Sequence, residues 1–133
     1  MRSSQDTYTL ANGVNVPCIG LGTYPSPAAV ASAAVKDAMA AGYRLIDTAA
    51  AYGNERGVGQ GIRISGVPRE EIFVTSKLRN AAHGYQATLE AFDMTTEAIT
   101  GKLMWILGQT KDPAQIHRLF YTPVANDILN YRT

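Results

Sequence analysis

The chain has 133 residues, 46% of them apolar and 17% charged, with a formal net charge of +1. That length suits one domain with a real core but not a closed eight-stranded α/β barrel, which takes roughly 250 residues. The near-neutral balance and scattered basic residues exclude an electrostatic case for nucleic acid or an anionic membrane, and no apolar run approaches the roughly 18 residues of a membrane span.

The opening Met1-Arg2-Ser3-Ser4-Gln5-Asp6 lacks the apolar core of a signal peptide. Cys18 is alone, so it forms no internal disulfide, and with His83 and His117 it makes no metal-ligand spacing. A reducing, cytoplasmic setting is the expectation.

Residues 7–17 predict a hairpin, because Asn12-Gly13 sits between β-prone runs and both residues can adopt φ > 0. The segment from Cys18 to Tyr24 predicts a buried strand, with Cys18 as a small apolar core residue, and Pro25-Ser26-Pro27 ends it. Residues 28–41 are alanine-rich and predict a helix with Val30, Ala34, Ala38 and Ala41 on one face, stopped by Gly42. Leu45 to Ala49 reads as a second strand. Asn54 is placed to cap a helix over 55–64 with Val58 and Ile62 facing inward. Gly66-Val67-Pro68 stops that helix, Arg69-Glu70-Glu71 forms a turn, and Ile72 to Leu78 is a third strand.

Beyond His83-Gly84 the pattern is helical. Leu89, Phe92, Thr96, Ile99, Leu103 and Ile106 recur every three to four residues. They fit one helix over about 85–107, or two helices broken near Asp93-Met94 with Thr95 as the second cap. The unbroken stripe favours one helix, although Gly101 inside it costs about 1 kcal/mol relative to alanine. Asp112-Pro113 opens a further helix through Phe120, and Thr122-Pro123 a last one to about Leu129. His117, beside Arg118, reads as solvated surface. Strands alternating with helices of this length mean βα units and a parallel sheet.

The run Gly42-Tyr43-Arg44-Leu45-Ile46-Asp47-Thr48-Ala49, followed by Tyr52-Gly53-Asn54-Glu55 and Val58-Gly59, resembles the signature region of the aldo-keto reductases. The likeness extends to Asn12-Gly13-Val14, Val16-Pro17, Gly20-Leu21-Gly22-Thr23-Tyr24, Ala34-Val35-Lys36, the stretch from Ser65 to Leu78, and His83-Gly84-Tyr85. It covers about residues 7–92. The resemblance implies a TIM barrel closed at its bottom by a hairpin, of which this segment supplies the hairpin and three βα units. It also implies NADPH-dependent reduction of aldehydes or ketones, with Tyr52 as proton donor, Lys77 lowering its pKa, Asp47 pairing with Lys77, and cofactor contacts at Thr23, Tyr24 and Asp47. A phenol with pKa near 10 is a poor acid at neutral pH, and a nearby ammonium favours its ionised form.

Departures accompany the likeness. The family's histidine, in a Leu-Ile-His-Trp-Pro-like segment, has no counterpart, nor do the later cofactor-binding strands and the basic loop for the 2′-phosphate. Arg79 stands where a tryptophan usually follows the Lys-Leu pair, and His83 matches a non-catalytic position. From about 93 to 128 the chain resembles the C-terminal helices of bacterial-type L-asparaginases: Asp93 to Ala98, Lys102 to Gly108, Thr110 to Pro113, Ile116, Arg118-Leu119-Phe120 and Thr122-Pro123. The expected organisation is one domain over 1–133, with a reductase-like part to 92 and a helical tail over 93–133, as in a chimera.

Three parallel strands leave two free edges and one uncovered face. The sequence therefore predicts a small parallel α/β sheet, a partial TIM barrel, with Leu103, Trp105, Ile106, Leu107, Leu119 and Phe120 of the tail covering the former barrel interior. Otherwise self-association covers it. Asp47, Tyr52 and Lys77 are expected to be vestigial, so the chain lacks full reductase activity on its own. A residual NADPH-dependent reductase and a partner-binding scaffold are the alternatives. Gly57, Gly59 and Gly61 superficially suggest a dinucleotide loop, but they lie within a helix rather than just after a strand. Tyr24 and Trp105, taken alone, read as packing residues.

Overall fold

The computed structural model describes residue 3 and residues 5–99. The predicted helices beyond residue 99, including the tail placed against the sheet, lie outside the described residues.

The chain opens with a hairpin. Strands β1 (Thr7–Thr9) and β2 (Asn15–Pro17) pair antiparallel, Tyr8 opposite Val16. The turn bends where the sequence places it, but by another geometry. Gly13 alone has positive φ, at 83°. Asn12 stays at negative φ, and its Oδ1 accepts the Val14 N–H at 3.1 Å. Gly13 N–H donates to Leu10 O, and Leu10 N–H to Val14 O, both at 2.8 Å. A tight turn followed by one left-handed glycine is the second common hairpin solution.

Three strands then form a parallel sheet in the order β3 (Leu21–Gly22), β4 (Leu45–Asp47), β5 (Phe73–Thr75). Leu21 lies opposite Ile46, and Ile46 opposite Val74. Each strand is shorter than the sequence predicts. Pairing nonetheless continues more loosely past the strand ends, with Thr23 N–H donating to Asp47 O at 3.0 Å, Thr48 N–H to Thr75 O at 2.8 Å and Ala50 N–H to Lys77 O at 3.2 Å. The chains splay there to carry the site. Cys18 lies between β2 and β3 and is half-buried, so it is neither in a strand nor a core residue.

Helices α1 (Ala28–Ala40), α2 (Glu55–Ser65) and α3 (Tyr85–Ile99) complete the described fold. The buried face of α1 is Ala31, Ser32, Val35, Ala38 and Met39, whereas Val30 is exposed. An alanine-rich helix has little contrast between its faces, and here the neighbour selects the face. A Cβ on Gly57 would collide with the Ala28 backbone, and one on Gly61 with Ser32 O and Val35. A Cβ on Gly59 would collide with the backbone of Ala98 and Ile99. Glycines four apart seat α2 against α1, and the one between them faces α3. All three bring backbones together, a packing role of the kind glycine permits.

Val58 and Ile62 are buried as the pattern predicts, in one core with Val35, Met39, Ile46, Ile72, Val74, Phe92 and Ile99. Helix α3 runs unbroken through Asp93-Met94, and Met94 is 72% exposed. Thr95 caps nothing; it is buried. Successive strand residues face opposite sides of a sheet. Ile46 and Val74 face the helices and are fully buried, while Leu45, Asp47 and Thr75 on the other face are half-buried. At the N-terminal ends of β4 and β5 the hairpin partly covers this second face. It leaves a cavity of about 460 Å³ lined by Gln5, Val14, Asn15, Arg44, Glu71 and Phe73, among others.

Candidate active site

The three residues singled out in the sequence meet at the opposite ends of the strands from that cavity. Asp47 is the last residue of β4, and Lys77 lies two residues beyond β5. Tyr52 closes a 3-10 turn over Ala50–Tyr52, after which Gly53, at φ 68°, reverses the chain. Lys77 Nζ donates to Asp47 Oδ1 at 2.8 Å, to Asp47 Oδ2 at 2.7 Å and to Thr48 O at 2.9 Å. Thr75 Oγ1 donates to Asp47 Oδ1. An ammonium has three N–H donors, and these contacts match that number.

Lys77 lies 5.5 Å from the centroid of the Tyr52 ring, within range of a cation–π attraction. Tyr24 packs on the other aromatic contact of Tyr52, with ring centroids 4.8 Å apart and planes tilted by 50°. Among the described residues no hydrogen bond reaches the Tyr52 hydroxyl. Lys77 is thus a positive charge near the Tyr52 ring, held there by Asp47. Lys77 and Asp47 are more than a third exposed, so solvent screens their pairing.

Behind this surface lies a buried polar network. Asn54 occupies the position before α2 but makes no capping bond with its side chain. Instead its Nδ2 donates to Thr23 O and to Ser26 O, both at 2.9 Å. Thr48 Oγ1 donates to Asn54 Oδ1 at 3.1 Å, and Thr23 Oγ1 to Thr48 Oγ1 at 2.9 Å. These bonds pin the loop that carries Tyr24. Glu55, in the first turn of α2, accepts from Ser76 Oγ at 2.6 Å and from Thr95 Oγ1 at 3.1 Å. It thereby ties the residue before Lys77 to α3. The sequence pattern reads Asn54 as a cap, offers Thr95 only as the cap of an alternative helix, and gives the Glu55 and Ser76 side chains no partner. Their partners lie 21 to 40 residues away in sequence, where local patterns carry no signal.

Of the residues expected to touch a cofactor, Thr23 is 3% exposed, and its hydroxyl is engaged with Thr48. The Asp47 carboxylate is held by Lys77 and Thr75. Tyr24 is 70% exposed, so it is a surface aromatic and not a core packing residue. Gly57, Gly59 and Gly61 are closed off by helix contacts and cradle no phosphate. Of these positions Tyr24 presents an open face to a nicotinamide nucleotide, and the glycines of α2 offer no phosphate loop. His83 is exposed and is not part of the cluster. Among the described residues no group of His, Cys, Asp and Glu is placed to hold a metal ion.

A small parallel α/β sheet with an Asp–Lys pair and a tyrosine at or beyond its strand ends is consistent with part of an aldo/keto reductase barrel. The Aldo/keto reductase family model matches residues 18–122, and the chain belongs to that family. It is 50% identical over 100 residues to a 9,11-endoperoxide prostaglandin H2 reductase of Trypanosoma cruzi, covering 74% of this chain and 35% of that protein. It is also 50% identical over 98 residues to the glyoxal reductase of Bacillus subtilis, covering 73% and 36%.

Among solved structures, the Bombyx mori aldo-keto reductase in complex with NADP superposes with a TM-score of 0.67 at 36% identity, over 73% of this chain and 35% of that one. An aldo-keto reductase from a Medee basin deep-sea metagenome library gives 0.70 at 39%, over 86% and 45%. The chain spans about a third of the length of the curated relatives it matches. The family match crosses the junction placed near residue 92, and a borrowed asparaginase-like tail finds no support.

Proposed function

We propose that this chain carries the proton-donor side of an aldo/keto reductase site, without full reductase activity of its own. Tyr52 is the donor to a carbonyl oxygen, and Lys77, held by Asp47, is its electrostatic support. The observation that carries this reading is the convergence of the three at the C-terminal ends of β4 and β5, with Lys77 donating to both Asp47 oxygens. A carbonyl accepts charge on its oxygen as it is reduced, and a cation near the donor favours the phenolate left behind.

The limit on activity follows from the same surface. The NADP bound to the Bombyx mori relative makes NADPH the cofactor to test. Of the positions expected to hold it, Thr23 is buried and engaged and Asp47 is held by Lys77, which supports weak or no binding. Catalysis of this kind depends on holding both reactants in place, and losing that positioning costs several powers of ten in rate. The open edges of β3 and β5 support a secondary role in self-association, since each has one partner strand among the described residues.

Titrating the protein with NADPH while following fluorescence tests the proposal. The expected result is no saturable binding in the micromolar range. Micromolar binding with turnover of glyoxal, lost in Tyr52→Phe, would show a complete reductase instead. Sedimentation over a range of concentrations checks the secondary role, and a monomer throughout removes it.

A further inference from the structure

We infer that Arg79 is an anion-recognition point beside Tyr52, selecting carbonyl compounds that carry a carboxylate. This rests on the proposal above only in taking Tyr52 as the group that meets the carbonyl. Arg79 Nε donates to Ala50 O at 2.9 Å. Ala50 opens the turn that Tyr52 closes, and its own N–H is bonded to Lys77 O. Guanidinium and phenol therefore share one three-residue turn as their anchor.

That bond uses one of the five guanidinium N–H donors and holds the group to the turn. Arg79 is exposed, and among the described residues its two Nη groups have no partner. Among the described residues no carboxylate is paired with it. Arg79 belongs neither to the pair of Arg44 with Glu71, at the far end of the sheet, nor to that of Lys77 with Asp47. Glu55, three residues beyond Tyr52, is engaged by Ser76 and Thr95. An Nη fork donates two parallel bonds to a carboxylate, a geometry that neither lysine nor an amide reproduces. The Tyr52 hydroxyl is likewise unbonded among the described residues. One turn thus anchors both a donor suited to a carbonyl and a fork suited to a carboxylate, the two groups of a small oxo acid, and the Tyr24 ring packs on Tyr52.

The test reads binding, not turnover, so an inactive protein leaves it intact and the reductase proposal fails or stands separately. The 15N-labelled full chain is titrated with pyruvate, with the neutral ketone 2-butanone and with acetate. The signals followed are the amides of residues 50–53 and the Arg79 Nε–H. Pyruvate is expected to bind at least about fivefold more tightly than 2-butanone, with Arg79→Gln removing that margin. Tyr52→Phe is expected to weaken pyruvate but not acetate. Arg79→Lys, which keeps the charge and loses the fork, should retain part of the margin, and salt should reduce it. Equal binding of pyruvate and 2-butanone, or a margin that survives Arg79→Gln, would overturn the inference. Pyruvate and acetate responding identically to Tyr52→Phe would overturn its carbonyl half.

Discussion

The two faces of the β3–β4–β5 sheet are built on opposite terms. On the helix face, Ile46 and Val74 are fully buried under α1, α2 and α3, and three glycines of α2 bring backbones into contact. On the other face, Leu45, Asp47 and Thr75 are half-buried, and Asp47 and Lys77 remain partly in water. The first face is core throughout, whereas the second is core at Phe73 and opens to water at the candidate site. A side chain added to the first meets close-packed atoms, while a charge removed from the second loses an interaction that solvent already weakens.

Substitutions can break or sharpen this contrast. Gly57→Ala is expected to have the largest effect. In an ordinary helix interior the change gains roughly 1 kcal/mol. Here the new Cβ meets the Ala28 backbone, so the sign reverses and a loss of about 3 kcal/mol is expected in urea denaturation. A stabilised variant would mean that α1 and α2 are not in backbone contact.

Asn54→Leu comes next. It removes the donor to Thr23 O and Ser26 O and the acceptor for Thr48 within a buried network. The expected loss is about 2 kcal/mol, with the loop of Tyr24 freed and its amide exchange accelerated. Unchanged exchange at residues 23–26 would show that the loop is held by something else.

Lys77→Met should cost less than about 1 kcal/mol of stability, because its pair with Asp47 is screened. A loss of several kcal/mol by the same assay would place that pair in the core and erase the contrast. Met94→Ala, on the exposed side of α3, should fall within about 0.5 kcal/mol of the parent chain. A larger loss would reveal a buried neighbour for that side chain.

What the sequence made legible follows the range of the interactions concerned. The place of the hairpin turn, the helix expected over 55–64 and its inward Val58 and Ile62 depend on neighbours within a few residues, and they hold, although the turn takes another geometry and the helix runs one residue further. The triad of Asp47, Tyr52 and Lys77 was legible through likeness to a family whose fold brings such positions together. The face of α1 was misread, because alanine periodicity cannot choose between Val30 and Ala31 until the glycines of α2 select one. Asn54 was misread because a helix-capping position and a buried network position share one residue type. The bonds of Glu55 to Ser76 and Thr95 join three separate elements, so the topology had to be in hand before they had any meaning. Tyr24 was misread as packing because an aromatic after an apolar strand gives no sign of which side of the fold it meets.

The division of the site is tested most directly by turnover. The chain is mixed with NADPH and glyoxal, and loss of NADPH absorbance is followed against Tyr52→Phe. Rates for the two proteins that match each other and the uncatalysed mixture are the expected result. A rate above that background which disappears in Tyr52→Phe would contradict the account, because it would require a complete cofactor site on this chain.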